Sequence, residues 1–173
     1  MSARDITVVK SPGDIRTYQT DDRNTSGSAN ALEPGEPIQV LAVGSPYAIT
    51  LYDGGPIRGS DEFLGIVAKT STETATANGL VDYISIIPGE TILRGKATTT
   101  SNINTAAKIL AYQGNWIGFD NTAEVFTIDE DETDDPNKLA LKVITGDSIA
   151  FSLDVLVNAA NVEAGIWTGQ TVD

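Results

Sequence analysis

The chain has 173 residues, enough for one domain with an appendage and for a core that needs no metal or disulfide. It contains neither cysteine nor histidine, which removes Ser-His-Asp and Cys-His nucleophilic mechanisms and the usual zinc sites. With 24 acidic against 11 basic residues the net charge is −13, a surface that repels phosphate backbones and keeps a protein in solution.

These numbers lead us to expect no nucleic-acid partner and no cofactor. No run of about eighteen apolar residues marks a membrane-spanning helix, and no membrane partner is expected. Met1–Asp5 lacks the apolar stretch of a secretory signal. Charge is unevenly placed. Through Arg23 the bases Arg4, Lys10, Arg16 and Arg23 balance Asp5, Asp14, Asp21 and Asp22, and the remainder carries the negative excess. A neutral segment of this kind suits contact with another surface, whereas an acidic body suits solvent.

In chain order, residues 1–36 read as an extended N-terminal arm. Ile6-Thr7-Val8-Val9 is a short strand-like run, and the polar stretch from Asp21 to Ser28 cannot bury enough apolar surface to offset the entropy of ordering. Such an arm is expected to be held by a neighbour, by strand addition through residues 6–9. The candidate partner-binding residues are Ile6, Val8, Val9, Lys10 and Arg16. From Pro37 onward the pattern is one of short strands separated by turn residues. Strands are predicted over Ile38–Val43, Tyr47–Tyr52, Phe63–Val67 and Leu80–Ile87, the last ended by Pro88-Gly89, with another from Thr91 to Arg94. Helical spacing of Ile103, Ala106, Ala107 and Leu110 predicts one helix over Ser101–Ala111, capped by Ser101. Strands resume at Asn115–Phe119, Val125–Ile128, Leu139–Ile144 and Ile149–Val157, and Asn158–Asp173 is weakly patterned. The expected fold is therefore mainly β, a small barrel or sandwich over residues 37–173 with one short helix. The acidic loop at 129–137 is the place where two lobes would separate.

Chemistry is sparse. The run from Asp129 to Asn137 clusters hard oxygen ligands, yet its sixth position is Asp134 rather than glycine and its twelfth is Ala140 rather than glutamate, so it is not an EF-hand loop. We expect a solvated acidic loop. Carboxylates such as Asp120, Glu124, Asp147 and Asp154 would be the candidates for glycoside hydrolysis without histidine, but no pattern singles out a pair. No catalytic or metal residue is predicted, and the chain is expected not to be an enzyme. Trp116 alternates like a core residue. No phosphate-binding glycine spacing is present.

Two stretches resemble the head-decoration, or capsid cement, proteins of tailed phages. The first runs Phe63-Leu64-Gly65-Ile66-Val67-Ala68, then a loop rich in Thr and Ala, then Gly79 to Ile86, Pro88-Gly89-Glu90-Thr91, and Arg94-Gly95-Lys96-Ala97. The second is Phe126 to Asp131, a polar loop, Leu139 to Ile144 and a closing strand from Ile149 to Val157. Together they span about half the chain, and neither motif is specific, because small β-domains share such patterns. The resemblance implies a small β-barrel, a homotrimer, binding to the major capsid protein on the outer surface of the virion head, and an arm that orders on docking. The chain is longer than the simplest such proteins, which leaves room for extra loops or a second lobe. A carbohydrate- or host-surface-binding module of a virion appendage is the alternative reading, and fold alone does not separate the two.

Overall fold

The computed structural model describes residues 6–20, 31–41, 48–50, 61–74, 77–122, 125–131 and 141–157. Among them are eleven strands: β1 (Thr7–Lys10), β2 (Ile15–Thr20), β3 (Pro37–Leu41), β4 (Ala48–Thr50), β5 (Asp61–Lys69), β6 (Gly79–Ser85), β7 (Ile92–Lys96), β8 (Trp116–Thr122), β9 (Val125–Asp129), β10 (Leu141–Asp147) and β11 (Ser152–Val157). A 3-10 turn at Thr100–Asn102 and one helix, α1 (Ala106–Tyr112), lie between β7 and β8. The fold is mainly β with one short helix, as the sequence predicts.

The strands form two units. β2, β4, β3, β5 and β6 close into a small barrel, and β1, β7, β11, β10, β8 and β9 form a six-stranded sheet in that order. The sheet curls until β9 meets the end of β7, where Ala97 and Ile128 bridge and the Thr98 N–H donates to the Ile128 carbonyl at 3.0 Å. Each unit has its own core. Leu93, Ile117, Phe119, Phe126, Ile128, Leu141, Leu153 and Val155 lie inside the curled sheet, and Leu32, Ile38, Ala48, Val67, Val81 and Tyr83 fill the barrel.

β5 serves both cores. Phe63 and Ile66 face the larger one, while Val67, with Leu64 packed beside it, faces the smaller. Pairs three residues apart share a face only if the strand carries an extra residue, since regular strands repeat every two. The register supplies it: Ile38 pairs with Gly65 and Gln39 with Phe63, so Leu64 is skipped. Gly65 is required there, because an added Cβ would sit 2.1 Å from the Ile84 carbonyl oxygen. Phe63 then meets Phe119 edge to face, with ring centroids 5.8 Å apart.

The units are joined by two connections that are hydrogen-bonded to each other. Residues 11–14 carry the chain from β1 to β2, and residues 86–91 carry it back from β6 to β7. The Ser11 hydroxyl bonds the Ser85 carbonyl at 3.2 Å and shares a hydrogen bond with the Thr91 hydroxyl at 3.1 Å. Thr91 Oγ1 in turn accepts from the Ile87 N–H at 2.8 Å. The Ser85 N–H and hydroxyl both donate to the Asp14 carbonyl.

Three expectations are corrected. Within the expected arm of residues 1–36, residues 6–20 are not unpaired: β1 pairs with β7 and β2 pairs along its whole length with β6. The entropic argument holds only for a segment with no strand beside it, and ladder bonds from a distant part of the chain supply what local composition lacks. The lobes do not divide at 129–137 but at the two connections between units. The helix is shorter than predicted: Thr105 caps it, its hydroxyl accepting from the Lys108 N–H at 3.3 Å. Its buried residue is Ile109, while Ala106, Ala107 and Leu110 are exposed. The polar stretch 21–30, the residues between β3 and β4, those between β4 and β5, and the segment after Val157 lie outside the described residues.

Two variants test this arrangement. A Cβ at Gly13 would lie 2.2 Å from the Ser85 carbonyl oxygen. Gly13→Ala is therefore expected to lower unfolding stability by about 2 kcal/mol in urea titration. Gln39, on the same face as its cross-strand neighbour Phe63, is fully buried with neither side-chain amide atom hydrogen-bonded. Gln39→Met keeps the volume and removes both polar atoms, so it is expected to raise stability by about 1 kcal/mol or more in the same assay.

Candidate functional surface

The five predicted partner-binding residues separate. Ile6 is 2 % exposed and belongs to the larger core, where Gly95 leaves room for it: a Cβ on Gly95 would meet Ile6 Cδ1 at 2.6 Å and Ile128 Cγ1 at 2.8 Å. Its N–H donates to the Gly35 carbonyl, the first link of a chain through Gly35 and Val67 that ties β1 to β5. Ile6 therefore stabilises its own fold and is withdrawn as a contact residue. Val8 packs partly against the same core. Val9 is 46 % exposed and sits at an irregularity between Val8 and Lys10, and Lys10 is exposed. Arg16 is exposed on β2, in the other unit.

β1 is an edge. Among the described residues its one sheet neighbour is β7. A strand edge presents backbone groups able to take a further strand. The outer face that begins at this edge is organised by register. Lys10, Ile92, Leu156, Lys142 and Trp116 lie side by side across β1, β7, β11, β10 and β8. A second row holds Thr7, Arg94, Asp154 and Thr145, and a third holds Lys96, Ser152 and Asp147. Lys10, Arg94, Lys96 and Lys142 are four of the chain's 11 basic residues. They share the outward face with Asp147 and Asp154 and, by the alternation of β8 and β9, with Asp120 and Asp129, so bases and acids are mixed there. Ile92, Leu156 and Trp116 are half-buried between the lysines. Trp116 thus lies on the outer face rather than in the core, and Lys142 stands 5.8 Å from the centroid of its ring, a cation–π contact. Alternation identified its strand but not which of the two faces is buried.

Two of the carboxylates considered for hydrolysis, Asp154 and Asp147, are already committed to partners within the fold. Asp154 is held by Arg94 through a two-point fork, Nε to Oδ1 at 2.6 Å and Nη2 to Oδ2 at 2.8 Å. Asp147 accepts from the Ile149 and Ala150 N–H groups at 2.8 and 3.0 Å, which hold its carboxyl below the usual range. Asp120 is on β8 opposite Thr127, and Glu124 lies outside the described residues.

Of the acidic run, Asp129 to Asp131 are described. Glu130 has no exposed surface, which was not legible from a charge run. Its carboxylate accepts from the Thr98 and Thr99 N–H groups at 3.1 and 2.9 Å and from the Asn102 amide at 3.2 Å, capping the 3-10 turn from across the fold. Burial pushes its pKa up and the Asp131 charge adds to the rise, while hydrogen bonds from its own and the Thr99 backbone and from Asn102 oppose it only in part. Among the described residues no group of three or more carboxylates is placed to hold a metal ion. No helix among them is long and apolar enough to cross a membrane.

No protein-family model matches the chain, and no curated protein is significantly similar to it in sequence.

A carboxyl with a raised folded-state pKa takes up its proton in the native state first. Stability from that source therefore accumulates as pH falls through the native pKa and levels off below the ordinary glutamate value. Glu130→Gln removes this response. The wild-type minus variant difference in unfolding free energy is expected to grow on acidification from neutral pH, read from urea titrations across that range. A difference that shrinks would mean that the hydrogen bonds to the ionised form outweigh its desolvation.

Proposed function

We propose that this chain is a structural virion protein that binds the outside of a tailed-phage head and cements contacts between capsomers. The observation that carries the reading is the run from β5 to β7. It has the strand, small-residue loop, strand, Pro-Gly turn and strand form that the decoration-protein resemblance rests on, with Gly89 in the left-handed conformation (φ 80°) at the turn. The Leu64-Gly65-Ile66 signature coincides with the irregularity that lets β5 wall two cores. The exposed Val9 and Lys10 at the β1 edge give such a protein a surface for its shell partner, the major capsid protein. Assembly as a homotrimer would let each subunit bind with moderate strength while the multimer holds firmly, because linked sites engage together. Contact area added across neighbouring capsomers would resist the outward pressure of packaged nucleic acid. In this reading the protein has no catalytic role.

Purified protein mixed with undecorated, expanded shells and imaged by electron cryomicroscopy is expected to give regular density at three-fold or quasi-three-fold positions. Bare shells would overturn the proposal, and a glycan-binding screen would then address the appendage reading. The double variant Val9→Glu, Lys10→Glu alters only exposed β1 positions. It is expected to keep the wild-type circular dichroism spectrum and to lose at least tenfold in shell occupancy. Full occupancy would separate β1 from the contact.

A further inference from the structure

Beside the β7–β11–β10 face, a groove of about 510 Å³ runs between α1 and the β10–β11 hairpin. Its walls carry exposed apolar side chains. Leu110 is 67 % exposed on the helix side and Ile149 88 % exposed on the hairpin side, two of the most exposed large apolar residues among those described. Ile109 lies in the floor, and Arg94, Asp147 and Asp154 line one side. The hairpin tip that carries Ile149 is braced. Asp147 accepts from two successive tip N–H groups, and Phe151 holds a left-handed backbone, φ 52°, which a bulky residue adopts only where its surroundings enforce it. An isoleucine held out on a fixed turn costs little further ordering when something packs against it.

We infer that this groove receives the basic side chain of a protein partner, an arginine or lysine whose stem lies between Leu110 and Ile149 and whose charge meets Asp147. Two carboxylates face one guanidinium in the groove, so its sign is negative. Arg94 already commits Nε and Nη2 to Asp154, which disfavours an incoming anion. Asp147 uses Oδ1 for both tip amides. Apolar walls with a carboxylate at the rim match the long stem and charged end of Lys and Arg. The partner is a different protein. The chain's net charge of −13 favours a basic partner. None of this depends on the virion reading.

The test uses the intact chain, ¹⁵N-labelled, titrated at tens of millimolar with N-acetyl-arginine methylamide and with its neutral isostere, the citrulline analogue. The arginine probe is expected to shift the amide signals of Gly146, Ser148 and Gln113, and the citrulline probe is expected to shift them several-fold less. Asp147→Asn keeps an oxygen for the tip amides and removes the charge, so it is expected to leave the spectrum folded and abolish the arginine response. Equal shifts from both probes, an unchanged response in Asp147→Asn, or no arginine response would each overturn the inference. Sedimentation of the unliganded chain checks the source. Equal behaviour of wild type and Asp147→Asn keeps the partner a different protein, whereas self-association lost in the variant would assign the groove to a second copy and overturn that choice.

Discussion

The architecture depends on one strand having two inner faces. A barrel strand normally presents one row of side chains to a core and the other to solvent. β5 presents Phe63 and Ile66 to the larger core and Leu64 and Val67 to the smaller, and it does so because one residue is skipped in its pairing with β3. Remove that irregularity and either Phe63 or Ile66 turns to the wrong side. The close approach of Gly65 to the Ile84 carbonyl, the edge-to-face contact of Phe63 with Phe119 and the burial of Gln39 beside Phe63 all follow from the same local geometry. The buried, unpaired amide of Gln39 is the cost of placing a polar residue on the side of β3 that this geometry covers.

The second constraint is the hydrogen-bonded passage of the two connections between units. Ser11, Gly13, Asp14, Ser85, Ile87 and Thr91 hydrogen-bond one another there, so the buried hydroxyls of Ser85 and Thr91 are paired. The same passage fixes where β1 lies, and hence which part of the outer face has an edge. Ile6 is anchored inside while Val9 and Lys10 remain outside, so four consecutive strand residues and the one before them divide between fold and surface.

Much of the fold was legible in the sequence because strands announce themselves locally. Turn residues such as Pro88-Gly89 bracket apolar alternation, and Val81, Tyr83 and Ser85 are buried as one face, as their spacing requires. What was not legible is non-local. No local pattern reports that Ile6 meets Gly95 and Ile128, that Arg94 lies opposite Asp154, or that Glu130 caps a turn some thirty residues away. β2 escaped notice because its exposed residues, Ile15 to Thr17, carry no apolar rhythm; its pairing with β6 makes it a strand. The helix face was misread for a related reason: spacing identified a stripe, but α1 is too short for a stripe to matter, and the single residue Ile109 decides how it packs.

β1 and β7 are neighbours in the sheet, yet the residues that follow one and precede the other, Ser11 and Thr91, stand 80 positions apart in the chain. The whole small barrel is thus spliced into what would otherwise be a hairpin. During synthesis, β2 to β6 all emerge between Thr7–Lys10 and its partner β7. A strand parted from its partner by a whole unit closes a distant contact, and such contacts slow folding.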